Sequence, residues 1–244
     1  AIDKYMYIVL NQRFDDTIRV SYSRTEIVDN VDEIQHPVVR EALKLVGIYK
    51  GIEIVSIADI PAGTGLGSSS SFTVGLLNAL YAYKGVLKPA EDLAREACHI
   101  EINILGEPIG KQDQYIAAYG GLRYFQFNPD GTVFTEPILY AEKNKAKLSR
   151  NLLLFYTGDT REARAILKEQ KVNTGQSGKM ELLKKMRDQA LQLREHLNNS
   201  SSPDILGESL NEGWQLKKQL ASGISNHRID EYYEKALQAG ALGG

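Results

Sequence analysis

The residues best suited to binding chemistry stand together in one short stretch rich in glycine and serine. Glycines occupy alternate positions at Gly63, Gly65 and Gly67, and four serines follow at 68–71. Alternate glycines let the backbone adopt conformations closed to other residues and bring its N–H groups close to a ligand. Serines at the start of a helix add hydroxyls and amides where an anion is favoured. The stretch predicts a phosphate-cradling loop; the alternative is a glycine turn with serine helix caps.

Two acidic residues further along the chain are candidates for additional chemistry. Glu101 falls on the small and apolar stripe of a helix predicted to run to about Leu105. A buried carboxylate needs a partner, so one interpretation is a nearby cation or metal ion and the other is a partly exposed salt bridge at the helix edge. Asp113 is predicted in the first turn of a short helix, where an acid either does chemistry or only complements the helix dipole.

The elements that must position these residues follow from apolar periodicity and from glycine and proline breaks. Up to residue 84 we predict antiparallel strands at 5–10 and 17–23, a helix from Pro37 to Gly47, a half-buried strand at 51–57 and a buried helix at 70–84. Beyond residue 120 we predict a hairpin turning at 128–131, a buried strand at 152–156 and three helices with apolar stripes at 180–197, 206–220 and 229–237. We interpret the aromatic residues and methionines of these stripes as core.

Composition predicts an ordinary globular protein. The chain has 244 residues, 43% of them hydrophobic and 25% charged, which is enough for a large core. Its formal net charge of -2 makes nucleic acid and membrane surfaces unexpected partners. A single cysteine, Cys98, and the lack of a signal-like or long apolar segment predict a cytoplasmic location. Because a strand pattern begins close to Ala1 and a helical pattern runs almost to Gly244, we expect missing segments at both ends.

The loop fails the patterns of three better-known phosphate loops. No lysine follows its glycines as in a Walker A motif, and no V-A-I-K strand follows as in protein kinases. The dinucleotide fingerprint fails because the glycine spacing is G-x-G-x-G and the next element is another helix. The loop resembles instead the P-x-x-x-G-L-G-S-S motif of the GHMP kinases, the family of galactokinase, homoserine kinase, mevalonate kinase and phosphomevalonate kinase. The matching residues are Pro61, Gly65, Leu66, Gly67, Ser68 and Ser69.

A second stretch agrees with this resemblance. Galactokinase-like members carry an acid twelve positions before a catalytic aspartate, in a G-x-P-x-G-x-x-D-Q frame. The residues that fall on this frame are Glu101, Gly106, Pro108, Gly110, Asp113 and Gln114. Within the family, both stretches look most like the D-glycero-D-manno-heptose 7-phosphate kinases, which phosphorylate an anomeric hydroxyl.

The resemblance implies a two-domain α+β fold and a set of site residues. Residues 1–149 would form an N-terminal, ATP-binding domain like the second domain of ribosomal protein S5, and 150–244 an incomplete, ferredoxin-like C-terminal domain. Ser69 and Glu101 would hold Mg²⁺, and Asp113 would be the catalytic base. The expected ATP-binding residues are Pro61, Gly63, Thr64, Gly65, Leu66, Gly67, Ser68, Ser69 and Ser70.

The substrate is less closely specified than the nucleotide. A distal phosphate on the sugar needs a cation, and Arg161 and Lys111 are the candidates, beside Asp113 at the reacting hydroxyl. Three alternatives stay open: another GHMP substrate such as galactose or mevalonate, a kinase-like sensor that binds nucleotide and sugar without catalysis, and an RNA-binding domain suggested by the S5-like fold. The oligomeric state does not follow from the sequence.

Overall fold

The computed structural model describes residues 1–158, 163–175, 177–199 and 202–244. The chain divides into two compact units, Ala1–Gly121 and Leu122–Gly244. This division falls earlier than the predicted domain boundary after residue 149, because residues following Gly121 pack in one cluster with Leu197. The assignment of 1–149 and 150–244 to two family domains stays a prediction. Among the described residues, no helix is long and apolar enough to cross a lipid bilayer.

The first unit contains a four-stranded sheet. Its strands are β1 (Met6–Gln12), β2 (Ile18–Ser21), β3 (Thr25–Val28) and β4 (Ile52–Ala58). Their order across the sheet is β1-β4-β2-β3, with β4 antiparallel to β1 and parallel to β2. The predicted half-buried strand before the glycine loop is therefore present as β4, and it occupies a central place in the sheet.

The predicted pairing of the first two strands with each other is wrong. β4 lies between them, since Tyr7 of β1 pairs with Ile57 and Ile18 of β2 pairs with Ile52. On its other side β2 pairs with β3, a strand that we did not predict. The physical reason is burial. Ile52 and Ile54 of β4 are fully buried, and buried backbone groups need hydrogen-bond partners, which β4 finds on both of its edges.

The helices of the first unit follow the predicted order. They are α1 (Pro37–Val46), α2 (Ser68–Tyr83), α3 (Ala90–Cys98), a π-helix (His99–Ile104) and α4 (Gln112–Tyr119), with a short 3₁₀ helix (Val31–Glu33) before α1. Pro37 opens α1, and Gly47 ends it with a φ of 73°, as predicted. The apolar faces of α1 and α2 pack with the sheet into one core, which includes Val39, Leu43, Leu76, Leu77, Leu80 and Ile54.

The helix that carries Glu101 changes its geometry before its predicted end. The Leu105 N–H donates to the Ile100 carbonyl at 2.9 Å, five residues earlier, as in a π-helix. The wider turn shifts the side chains that follow it relative to an α-helix. The predicted stripe consists of Ala94, Ala97, Glu101 and Ile104. The first three are buried, but Ile104 is exposed.

The second unit is mostly helical. Its strands β5 (Arg123–Phe127) and β6 (Val133–Pro137) form the predicted hairpin, and in the turn the Gly131 N–H donates to the Asn128 carbonyl at 3.0 Å. Its helices are α5 (Glu142–Arg150), α6 (Ala163–Asn173), α7 (Ser177–Asn199), α8 (Asp204–Lys217) and α9 (His227–Gln238). In the described residues of this unit the hairpin is the only sheet, so the ferredoxin-like arrangement of its domain stays a prediction.

The predicted buried strand at 152–156 is wrong. These five residues lie outside any strand or helix, and their exposure ranges from 51% for Leu152 to 78% for Leu153. A continuous apolar run resembles a buried strand in sequence, but it is buried only where neighbouring elements cover it. The pattern of the run does not specify those neighbours.

The described residues of the second unit include two small buried clusters. One includes Leu197 of α7, and the other includes Leu220, which follows α8. Trp214 and Met186 pack against the second cluster, as predicted for core residues. Met180 is exposed, so the core interpretation of its helix is wrong at that position.

Candidate active site

The glycine loop between β4 and α2 has the backbone that its glycines allow. Gly63, Gly65 and Gly67 have φ values of 78°, 76° and 71°, in the left-handed region where other residues are strained. Gly67 is the N-cap of α2, and no side chain caps this helix end. The Ser71 N–H donates a hydrogen bond to the Gly67 carbonyl at 2.9 Å, and this is the first hydrogen bond within the helix. The N–H groups of residues 68–70 therefore have no partner within the helix. The loop thus offers backbone donors and a helix N-terminus to an anion.

Glu101 presents a buried carboxylate next to this loop. The side chain lies on the π-helix and is only 2% exposed. Ser69 Oγ donates to its Oε1 at 2.8 Å, and Ser70 Oγ donates to its Oε2 at 3.2 Å. Gln114 Nε2, on α4, donates to Oε2 as well. Three elements, α2, the π-helix and α4, therefore meet at one carboxylate.

The burial of Glu101 excludes one of its two interpretations. The partly exposed salt bridge at the helix edge is wrong, because the residue is buried. The three donors described above are neutral side chains, so they stabilise the carboxylate by hydrogen bonds without balancing its charge. A buried negative charge is costly in this situation, and a cation offsets part of that cost. The geometry of Glu101 therefore favours the interpretation as a cation ligand.

Asp113 lies in the first turn of α4, as predicted, and beside the glycine loop. A Cβ atom placed on Gly67 would lie 3.4 Å from Asp113 Cγ and 3.5 Å from its Oδ2, which is van der Waals contact. The side chain of Asp113 thus lies against Gly67, the N-cap residue of α2. Unlike Glu101, Asp113 is exposed. Its carboxylate is accessible to a molecule bound at the loop.

Of the two cations predicted to bind a distal phosphate, Lys111 and Arg161, the structure describes only the first. Lys111 is the N-cap residue of α4 and is half-buried. Its charge acts on Cys98: burial raises the pKa of the Cys98 thiol to about 11, and the positive charge of Lys111 opposes this shift. Lys111 therefore lies within electrostatic range of Cys98 on α3. Arg161 lies outside the described residues.

Comparison with known proteins assigns the part of the chain that holds this site. Residues 30–121 match the family model of the GHMP kinases N terminal domain. Within this range the chain is similar to a GHMP kinase N-terminal domain. The matched range contains the glycine loop, Glu101 and Asp113, so the family resemblance predicted from the two motifs is confirmed.

Curated relatives of this chain include sugar and mevalonate kinases. The D-glycero-alpha-D-manno-heptose 7-phosphate kinase of Campylobacter jejuni is 29% identical over 187 residues, which make up 77% of this chain and 55% of that protein. The mevalonate kinase of Thermococcus onnurineus is 26% identical over 212 residues, or 84% of this chain and 60% of that one. This chain spans little more than half the length of these two relatives.

A solved structure has the same fold. The crystal structure of a D-glycero-D-manno-heptose 1-phosphate kinase from Bacteroides thetaiotaomicron matches 99% of this chain and 73% of that one, with a TM-score of 0.77 and 23% identity. At this identity the likeness is evidence of fold alone. It confirms the predicted α+β fold of the GHMP kinases.

Sequence reasoning missed how α4 is anchored. Gln114 fell on the family frame without a role, and it is fully buried against Glu101. Tyr115 and Tyr119 donate to the Glu91 carboxylate on α3, at 2.9 and 3.0 Å. Burial raises the pKa of Tyr115, and the bond to Glu91 acts in the same direction. The available signal was the spacing of the two tyrosines, because residues four apart share a helix face.

Proposed function

We propose that this protein is an ATP-dependent kinase that phosphorylates the anomeric C1 hydroxyl of a sugar phosphate. D-glycero-D-manno-heptose 7-phosphate is the proposed substrate, and the 1,7-bisphosphate is the proposed product. The observation that carries the proposal is the closeness of Asp113 to Gly67 of the loop, where an added Cβ would lie 3.4 Å from Asp113 Cγ. Phosphoryl transfer depends mainly on alignment and on stabilisation of charge. A phosphate loop with one carboxylate beside it suits that requirement.

The glycine loop is proposed to hold the β- and γ-phosphates of ATP. Left-handed glycines bring backbone N–H groups close to the phosphate oxygens, and the N-terminus of α2 favours their negative charge. The Thr64 hydroxyl donates to the Pro61 carbonyl at 3.2 Å, which stabilises the bend of the loop. The residues of this cradle are Pro61, Gly63, Thr64, Gly65, Leu66, Gly67, Ser68, Ser69 and Ser70.

The oxygens around Glu101 fit a magnesium ion. Ser69 Oγ and Glu101 Oε1 are 2.8 Å apart, close to the about 2.9 Å between neighbouring oxygens of an octahedron with Mg–O bonds of about 2.0–2.1 Å. The described part of the chain has no group of three or more His, Cys, Asp or Glu side chains that could hold a metal. One carboxylate completed by nucleotide phosphates is nevertheless a usual magnesium environment. Bound Mg²⁺ would neutralise charge on the transferring phosphoryl group.

Asp113 is the proposed general base. Its exposure leaves it accessible to the sugar hydroxyl, and the N-terminus of α4 stabilises its negative charge. In the proposed step, the hydroxyl oxygen forms a bond to the γ-phosphorus while the bond from that phosphorus to the bridging oxygen of ADP breaks. The hydroxyl proton passes to Asp113. The products are the 1,7-bisphosphate of the sugar and ADP.

The identity of the substrate is tested by product analysis. The two similar heptose kinases differ in the phosphate that their names give, 7-phosphate in one and 1-phosphate in the other. The purified protein is incubated with ATP, Mg²⁺ and one of five compounds: heptose 7-phosphate, heptose, galactose, fucose or mevalonate. An anomeric phosphate on heptose 7-phosphate, detected by ³¹P NMR and mass spectrometry, is the expected result. Phosphorylation of mevalonate or galactose alone would replace the heptose proposal. Nucleotide binding with no phosphorylated product would indicate a sensor.

Recognition of the distal phosphate is assigned to Lys111 or Arg161. A cation that contacts this phosphate contributes only when the substrate carries it. The variants Lys111→Met and Arg161→Ala are therefore compared on heptose 7-phosphate and on unphosphorylated heptose. A loss of kcat/KM confined to the phosphorylated sugar supports a phosphate contact. An equal loss on both sugars argues against one.

The proposed binding partner follows from this reaction. The partner is a small sugar phosphate, and the net charge of -2 gives no reason to add nucleic acid or a membrane. The cytoplasmic location stays a prediction.

A further inference from the structure

Gln114 connects the two acids of the proposed site. It directly follows Asp113 on α4, so the two side chains leave the helix about 100° apart. Asp113 is exposed beside the glycine loop, whereas Gln114 is fully buried and donates to Glu101 Oε2. Neighbouring residues of one helix turn thus contact the loop and the proposed metal ligand.

The two carboxylate oxygens of Glu101 accept different numbers of hydrogen bonds. Oε2 accepts from Gln114 and from Ser70. Oε1 accepts from Ser69 alone among the described residues. Each carboxylate oxygen has about two lone-pair sites. Oε2 is therefore saturated, and Oε1 keeps one site for a cation.

The amide of Gln114 is oriented by this carboxylate. Its own Oε1 is buried and has no hydrogen-bond partner in the part of the chain that the structure describes. Turning the amide over would direct that oxygen at Glu101 and would remove a donor from Oε2. A bond to a charged acceptor is stronger than one to a neutral group. A buried unsatisfied oxygen in a native structure needs an explanation. Here the explanation is that the Gln114 amide must turn its Nε2 toward the Glu101 carboxylate, which leaves its Oε1 without a partner.

We propose that Gln114 is a positioning residue that fixes Glu101 so that Oε1 alone is presented to Mg²⁺, and that links this ligand to the helix carrying Asp113. The inference rests on the proposed function, because it needs a metal ion at Glu101. Hydrogen bonds to a ligating carboxylate hold its orientation. Loss of such an outer partner typically lowers metal affinity or activity about 10- to 100-fold.

The variant Gln114→Met tests this role, because it removes the donor at nearly constant side-chain volume. Mn²⁺ binding is measured by electron paramagnetic resonance on the purified protein saturated with a non-hydrolysable ATP analogue. Thermal unfolding is recorded on the same samples. We expect Gln114→Met to bind Mn²⁺ about 10- to 100-fold more weakly than wild type. If this variant does not fold, Gln114→Asn replaces it with the same expected loss, since its shorter amide does not reach Glu101.

The matched control is Tyr115→Phe on the same helix. It removes the partly buried hydrogen bond to Glu91 and should leave Mn²⁺ affinity unchanged. Equal Mn²⁺ affinity in Gln114→Met and wild type would overturn the inference and leave the proposed function intact. An equal loss in Gln114→Met and Tyr115→Phe would also overturn it, because a general disturbance of α4 would then explain the effect. Failure of the nucleotide-bound wild type to bind Mn²⁺ would instead overturn the proposed metal site itself.

Discussion

The π-helix and the first turn of α4 each bring one acid to the candidate site, and they hold it in opposite ways. Glu101 on the π-helix is buried, with donors on both carboxylate oxygens. Asp113 on α4 is exposed and lies against Gly67. A buried and hydrogen-bonded carboxylate is preorganised for an ion, whereas an exposed one is accessible to a substrate hydroxyl. Burial is the physical difference between these two acids, to which the family resemblance assigns different roles.

The largest effect is expected from Asp113→Asn, which removes the charge of the exposed acid and keeps its shape. If Asp113 is the base, turnover should fall by about 10²–10⁴-fold, with ATP affinity nearly unchanged. Because the side chain is exposed, the free energy of unfolding should change by less than about 0.5 kcal/mol. Steady-state kinetics, nucleotide titration and thermal unfolding measure the three quantities. Unchanged turnover would remove Asp113 from the base role.

Gly67→Ala tests the contact between the exposed acid and the loop. A φ of 71° is strained for alanine by about 1–2 kcal/mol, and the new methyl group would touch Asp113. The control is Gly85→Ala, with a φ of 72° in open space after the end of α2. Urea unfolding should show similar losses of stability in both variants, and kinetics should show lower turnover only in Gly67→Ala. A similar fall in turnover in Gly85→Ala would attribute the effect to strain instead of to the contact.

A smaller effect is expected from Tyr119→Phe, which weakens the attachment of α4, the helix that carries Asp113, to α3. The variant loses the hydrogen bond to Glu91 at 3.0 Å, so the free energy of unfolding should fall by about 0.5–1.5 kcal/mol. Tyr83→Phe, at an exposed position near the end of α2, is the control and should change little. Urea denaturation compares the two variants. Equal stability of both would mean that Glu91 does not tether α4 through Tyr119.

The smallest effect is expected on the stability of the protein at acidic pH, through His36, which packs against α2. His36 caps α1 by accepting the Val39 N–H at Nδ1, at 3.5 Å, and its ring packs 5.0 Å from that of Phe72 on α2. Burial lowers the pKa of His36, and the nearby charge of Glu26 opposes this shift. The unfolded histidine gains its proton near pH 6.5 and the folded one only at lower pH. Its contribution to stability is therefore complete above about pH 6.5 and is lost as pH falls through the lowered folded pKa.

His36→Asn isolates this contribution, because asparagine caps a helix but does not titrate in this range. The free energy of unfolding, measured by urea denaturation at a series of pH values from about 5 to 7, should depend less on pH in the variant than in wild type. Identical pH dependence in both proteins would show that His36 has no part in acid stability.

Local features of the candidate site could be predicted because their causes lie within a few residues. Pro37 and Gly47 bound α1 through backbone preferences that need no distant partner. The same holds for the left-handed glycines of the loop and for Asp113 in the first turn of α4. The apolar stripe of α3 placed Glu101 on the buried side, because a helix repeats its face every 3.6 residues.

The sequence by itself thus determined the loop, the two acids and the order of most elements of the first unit. Only the tertiary structure decided that β4 separates β1 from β2, that Gln114 reaches Glu101, and that 152–156 is exposed. Each of these depends on residues far apart in the chain. Hydrogen bonding and burial are properties of pairs of elements, and a pattern within one element describes only one member of the pair.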